Sequence, residues 1–163
     1  MLSIREATAD DASACASIYA PYVRDTVISF ETVPPDAEEM AARIRGSSAW
    51  LVGEESGRAV GYAYAGPFNA REAYRWSCNV SVYLEHGRRR TGAGRALYEA
   101  LFVRLVDLGY RRAAAGITLP NEASVGLHAA LGFEPVGTFG RVGWKHDGWH
   151  DVAWMQRNLS PDE

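Results

Sequence analysis

Between Val80 and Leu97 the chain reads Val-Ser-Val-Tyr-Leu-Glu-His-Gly-Arg-Arg-Arg-Thr-Gly-Ala-Gly-Arg-Ala-Leu, and this stretch restricts the fold more than any other. An apolar, β-prone run enters a turn with Gly92 and Gly94 at alternate positions. The turn passes straight into a helix whose Leu97, Leu101, Leu105 and Leu108 line one face. Glycine permits positive φ and, lacking a Cβ, lets a ligand approach the backbone. Free N–H groups at the helix start, aligned with its dipole, favour an anion. Arg88, Arg89, Arg90 and Arg95 concentrate positive charge there. A phosphate-bearing ligand is the direct reading; the plain alternative is a helix-opening loop with an exposed arginine patch. A dinucleotide fingerprint is excluded because Leu97 stands where a third glycine belongs, and a P-loop because the turn has no lysine.

The 163 residues suit one domain, 1–163, with 47% apolar and 23% charged residues as in ordinary globular chains. A formal charge of 17 − 20 = −3 gives no general argument for binding nucleic acid or an anionic membrane. Cys15 and Cys78, the two cysteines, make neither a disulfide framework nor a metal knuckle. No run of about 18 apolar residues is present and Met1–Arg5 has no signal-peptide core, so a soluble, cytoplasmic protein is expected.

The remaining pattern predicts a mixed α/β (α+β) fold, a mixed central β-sheet flanked by helices. Strands are expected at Ser3–Ala7, Trp50–Gly53, Ala59–Ala65, about Arg75–Leu84, Arg112–Thr118, near Phe133–Gly140 and near His150–Asn158. Thr8 and Asp11 make a capping box ahead of a helix whose buried stripe is Ala12, Cys15, Ile18, Tyr19 and Tyr22. A second helix runs from Pro34-Pro35-Asp36 to about Arg45. The glycine turn opens a third, about Gly94 to Leu108, closed by Gly109. A fourth runs from Asn121 to Leu131, closed by Gly132. In the central strand Trp76, Cys78, Val80 and Val82 read as the core face. Arg75, Ser77, Asn79, Ser81 and Tyr83 form the opposite, unusually polar face, expected to look into a reaction cleft.

Arg89-Arg90-Thr91-Gly92-Ala93-Gly94 resembles the Arg/Gln-x-x-Gly-x-Gly/Ala signature of the GNAT N-acetyltransferases, and the likeness extends over essentially the whole chain. Asn121–Ser124 and Leu127–Glu134 resemble that family's second cofactor segment. Phe30, Gly61–Pro67, Ala70–Trp76 and Lys145–Val152 resemble the phosphinothricin (methionine sulfoximine) acetyltransferases in particular. The resemblance implies acetyl-CoA as co-substrate, without a metal, and a small amino-acid-like amine as acceptor. It places Val82, Tyr83 and Leu84 on the pantetheine arm, Arg89, Arg90, Thr91, Gly92, Ala93, Gly94 and Arg95 around the pyrophosphate, and Asn121 on the cofactor. Asn121 reads equally well as a helix cap. It further implies an acceptor pocket from Phe30, Arg71 and Tyr74, with Lys145 beside it, and a homodimer. Arg71 suits a carboxylate, which a guanidinium can hold through two parallel N–H bonds.

At the chemistry itself the chain departs from its lookalikes. They carry a glutamate, proposed as general base, where this chain has Asn79, and an amide takes no proton near neutral pH. Three outcomes follow. Another group acts through water, which is the working expectation; the acceptor amine is weakly basic; or the chain is an acyl-CoA-binding or sensing module with little turnover. His128 is the candidate for handling the proton, because imidazole titrates near neutrality. Its plainer reading is a hydrogen-bonded histidine on the buried side of a helix. Cys78 lies on the apolar face and reads as a small hydrophobe, so direct attack is expected rather than an acyl-enzyme. His146 and His150 would converge on a metal only on a helix, and Gly148 within a β-prone stretch argues against one.

Overall fold

The computed structural model describes residues 1–88 and 91–160. Seven strands form one sheet in the order β1-β2-β3-β4-β5-β7-β6. They are β1 (Ser3–Glu6), β2 (Ala49–Glu55), β3 (Arg58–Pro67), β4 (Ser77–Leu84), β5 (Arg112–Thr118), β6 (Glu134–Lys145) and β7 (Gly148–Asn158). Every neighbouring pair is antiparallel except β4 and β5. The helices are α1 (Ala12–Asp25), α2 (Ala37–Gly46), α3 (Ala93–Asp107) and α4 (Glu122–Ala130).

Local chemistry accounts for most boundaries. The Thr8 N–H donates to Asp11 Oδ2 at 2.8 Å, and the Thr8 hydroxyl accepts from the Asp10 N–H in return. Asp36 caps α2 by accepting the Glu39 N–H at 2.8 Å. Ser56 and Gly57, at φ 52° and 75°, make a two-residue turn between β2 and β3 whose hand matches strand twist.

The sheet separates two cores. On one side Leu97, Leu101 and Leu105 of α3 lie fully buried on Cys78 and Val80 of β4 and Ala113 and Ala115 of β5. On the other, α1 and α2 press Cys15, Tyr19, Val23, Met40 and Ile44 onto Trp50, Val52 and Tyr62. The alternation along β4 holds: Val82 packs with the α3 side, whereas Tyr83 packs with the α1–α2 side.

Four expectations need correcting. Trp76 is 47% exposed, because β4 begins one residue later and the strand alternation does not reach it. Leu108 is 37% exposed at the C-cap of α3, beyond the last turn that faces the sheet. In α1 the core position falls to Val23, four residues after Tyr19, and Tyr22 sits at the margin with its hydroxyl donating to the Leu84 carbonyl. The strand begun at Glu134 does not stop near Gly140. A bulge between Phe139 and Gly143 absorbs the interruption, with Arg141 at φ 52° and its N–H donating to Asp151 Oδ1. β6 then resumes to Lys145, and the turn to β7 is His146-Asp147, both at positive φ.

Candidate active site

β4 and β5 pair only at Ser77↔Arg112, Cys78↔Ala113 and Asn79↔Ala114. Beyond that point β4 continues to Leu84 on its pairing with β3, and β5 continues to Thr118 on its pairing with β7. The two central strands therefore part, and the Val80–Leu84 backbone has no ladder partner on its β5 side. The gap is narrow, with a cavity volume of about 60 Å³. Ile28 lines it from the α1–α2 face, and Tyr98, Asn121, Ser124 and His128 from the α3–α4 face. It passes through the sheet.

α3 starts at the mouth of this gap. Gly92 occupies the left-handed region at φ 81°, and no described residue lies within 4 Å of where its Cβ would stand. Its requirement for glycine is conformational. A Cβ on Gly94 would make ordinary contacts with Leu127 and Leu84, at 3.5 and 3.7 Å. The arginine cluster is less free than its sequence suggests. Arg88 is held by Glu55 at 2.6 Å and by Glu85, which also pairs with Arg58. The Arg58 guanidinium keeps the Glu85 carboxyl down at about 2. Arg95 pairs with Glu99 one turn along the helix, and the Thr91 hydroxyl donates to the Arg88 carbonyl. Arg89 and Arg90 lie outside the described residues. Asn121 Oδ1 accepts the Ser124 N–H at 3.1 Å, so the cap reading holds while the residue also borders the gap.

His128 is 3% exposed. Its Nδ1 lies 2.7 Å from the Ser124 carbonyl oxygen, which only accepts, so Nδ1 carries the hydrogen. Nε2 then accepts from the Tyr98 hydroxyl at 3.0 Å. Burial pushes the imidazole below its ordinary value, and the Ser124 contact opposes the shift. Tyr98, itself 1% exposed, is absent from the sequence reading. Its place beside Leu97 and Leu101 marks it as buried, but nothing in the one-dimensional pattern shows that α3 would carry its hydroxyl to α4.

Asn79 stands at the last position where β4 pairs with β5, where the gap opens. Its Oδ1 is buried and has no hydrogen-bond partner among the described residues. It borders a second, apolar recess of about 560 Å³ with Phe68, Val136, Phe139 and Trp154. Trp154 can lie flat on β5 because its cross-strand partner is Gly116, where a Cβ would fall 3.0 Å from the indole.

The expected acceptor residues are less gathered. Phe30, 39% exposed, rests on Gly143 of β6 and lies 6.3 Å from the His150 ring. Arg71 and Tyr74 are exposed on the connection between β3 and β4, and Tyr74 packs on Phe68 at 5.5 Å. Lys145 is 5% exposed, and its ammonium donates to the Val23 and Ser29 carbonyls at 2.6 Å each. It thus ties the α1–α2 loop to β6. Ser29 and Glu31 of that loop continue the tie to Tyr19 of α1 and Arg43 of α2. Cys78 is buried, its thiol donating to the Arg112 carbonyl and pushed up to about 12 by burial, far from an activated nucleophile. His146 occupies a turn and His150 a strand, so the pair does not share a helix.

Parted central strands, a glycine turn at the mouth of the gap and a helix start beside it define an acyltransferase fold, and the chain belongs to the GNAT acetyltransferase family. The family profile described as an acetyltransferase (GNAT) domain matches residues 4–154, and the protein is an N-acetyltransferase. It is 40% identical over 161 residues to the phosphinothricin N-acetyltransferase of Streptomyces viridochromogenes, covering 97% of this chain and 88% of that protein. It is 36% identical over 164 residues to the L-methionine sulfoximine/L-methionine sulfone acetyltransferase of Pseudomonas paraeruginosa, covering 98% and 95%. A solved structure of the phosphinothricin acetyltransferase from Sinorhizobium meliloti in complex with acetyl-CoA matches with a TM-score of 0.92 at 38% identity. That match covers 97% of this chain and 88% of the other.

Proposed function

We propose that the protein transfers acetyl from acetyl-CoA to the α-amine of a small amino-acid-like acceptor of the phosphinothricin or methionine sulfoximine kind, by direct attack. The observation that carries this reading is the parting of β4 from β5 after Asn79 and Ala114. It leaves the Val80–Tyr83 backbone without a strand partner on its β5 side along a gap, which suits an extended, amide-bearing arm added as a strand. Val82, Tyr83 and Leu84 take that arm. The stretch of sequence from Arg89 to Arg95, with Gly92 left-handed and α3 opening behind it, takes the diphosphate. Asn121 holds the cofactor from the start of α4. When bound, the thioester supplies an activated acyl group and a thiolate leaving group.

On the acceptor side Arg71 binds the carboxylate, Phe30 and Tyr74 wall the side chain, and Lys145 fixes the loop that carries Phe30. His128, paired with Tyr98, handles the proton that ends on the leaving sulfur. Two copies of the chain pair through β6, which exposes Val136, Phe139, Val142 and Trp144, with Trp149 of β7 against Trp144. Purified protein incubated with acetyl-CoA and either phosphinothricin or methionine sulfoximine is expected to release free CoA and add one acetyl group to the amine, read by mass spectrometry. Binding of acetyl-CoA with neither amine acetylated overturns the reading.

A further inference from the structure

Among the described residues two buried side-chain polar atoms lack a hydrogen-bond partner, Trp50 Nε1 and Asn79 Oδ1. Trp50 is stacked between Tyr62 and Tyr64 in the core. Asn79 stands where the central strands part. A buried amide oxygen left unpaired costs free energy unless a ligand supplies the donor.

Among the described residues, the groups that could take a proton are engaged, absent, or on residues that line neither the gap nor the recess. No carboxylate lines the gap or the adjoining recess among the described residues. On the α1–α2 loop Glu31 is held by the two terminal guanidinium nitrogens of Arg43 and by the Tyr19 hydroxyl, which keep its carboxyl below the usual range. On the β3–β4 connection Glu72 faces Arg75, with Arg71 and Tyr74 beside it. From β5 comes Arg112, which donates to the Arg111 carbonyl. From β6 comes Lys145, spent on two carbonyls. From β7 come His150, bonded to the Lys145 carbonyl, Asp151, accepting the Arg141 N–H, and Arg157, donating to the Leu131 carbonyl. From α3 and α4 come Tyr98 and His128, bonded to each other. His150 Nδ1 and the second oxygen of Asp151 keep a lone pair to offer, but neither residue lines the gap or the recess. Another protein group acting through water, the working expectation from the sequence, therefore has no candidate beside Asn79 among the described residues.

We propose that the acceptor enters as the neutral amine, one N–H donating to Asn79 Oδ1, its ammonium proton having been lost to water before binding. The inference rests on the acetyl-transfer reading above and names the form in which its acceptor binds, the unprotonated amine, so that between acceptors of equal fit the less basic one is favoured. The nitrogen lone pair attacks the thioester carbonyl carbon; a C–N bond forms and the C–S bond breaks. The nitrogen gives up one proton and the sulfur takes one, so the protein ends as it began. An α-amine beside an amide or ester titrates at about 7.7–8.0 and a lysine-type amine at about 10.4, so at equal binding the former gains more than about 100-fold at neutral pH.

The test is the pH dependence of kcat/KM for methionine sulfoximine and for its carboxamide, whose amine is less basic because the carboxylate charge is gone. Wild-type protein is expected to show an acid limb rising about tenfold per pH unit. Its midpoint moves with the acceptor's own amine. Asn79→Glu is expected to shift the limb to one lower pH, the same for both acceptors, and to raise kcat/KM at pH 6.5 by about 10²-fold. A wild-type midpoint fixed at one pH for both acceptors reveals a base in the protein and overturns the inference alone. So does an Asn79→Ala variant within twofold of wild type. Acetylation of neither acceptor overturns the proposed function and this inference with it.

Discussion

The Tyr98 hydroxyl donates to His128 Nε2 across 3.0 Å of buried space between α3 and α4, and the Ser124 carbonyl accepts from Nδ1 on the other side of the ring. One tautomer and one orientation of the imidazole follow. Tyr98→Phe leaves Nε2 buried without a donor, at a cost of about 1–3 kcal/mol in stability. We expect kcat to fall about 10-fold to 100-fold with a smaller change in the KM for acetyl-CoA, because Tyr98 positions the imidazole. Steady-state kinetics across pH 6–9 check this; a purely structural tyrosine would lower the urea midpoint and leave the kcat profile in place.

Protonating His128 must disturb the same arrangement. Burial lowers its folded value below the ordinary 6.5 or so, so the unfolded chain takes up a proton before the folded one does. The stability held by the neutral ring is fully present above about pH 6.5 and is lost as pH falls from there through the lowered folded value, at no more than about 1.4 kcal/mol per pH unit. The lowered carboxyls of Asp11, Glu31 and Glu85 start from ordinary values near 4 and act in a more acidic window. Urea midpoints at pH 7.5 and 5.5 are expected to differ more for wild type than for His128→Asn. Equal differences would place the pH dependence elsewhere.

The order of elements, the caps at Thr8 and Asn121, and the polar row Asn79–Ser81–Tyr83 were legible in the sequence because each depends on neighbours a few residues away. The fates of Trp76 and Tyr22 were not, since a strand beginning two residues late or a helix turned by one position is decided by packing. The Tyr98–His128 bond, the seat of Phe30 on Gly143 and the burial of Lys145 join residues far apart in sequence. Residue type there announces capability, and only the fold assigns a partner. Arg88 illustrates the same limit. Its charge is visible in the sequence; its capture by Glu55 and Glu85 is not.

The two turn glycines serve different ends. Gly92→Ala forces a Cβ into the left-handed region and is expected to cost about 1–2 kcal/mol. It should weaken CoA binding severalfold in calorimetry, because the turn must reshape to relieve it. Gly94→Ala meets only ordinary contacts inside a helix and is expected to hold or raise the urea midpoint. A Gly92→Ala protein that binds CoA as wild type does would remove the turn from the diphosphate site.

Gly143 has no Cβ to spare for Phe30. An added one would stand 2.2 Å from Phe30 Cε2 and 2.3 Å from Cζ, well inside contact. The ring is 39% exposed at the end of a flexible side chain, so Gly143→Ala moves the ring rather than the backbone. Stability is expected to change by less than about 1 kcal/mol, as for a substitution relieved at the surface. If Phe30 walls the acceptor, the same displacement raises the acceptor KM severalfold while the KM for acetyl-CoA stays put, and Phe30→Ala reproduces it. An acceptor KM unchanged in both variants would take Phe30 out of the pocket and leave it as a prop between the α1–α2 loop and β6.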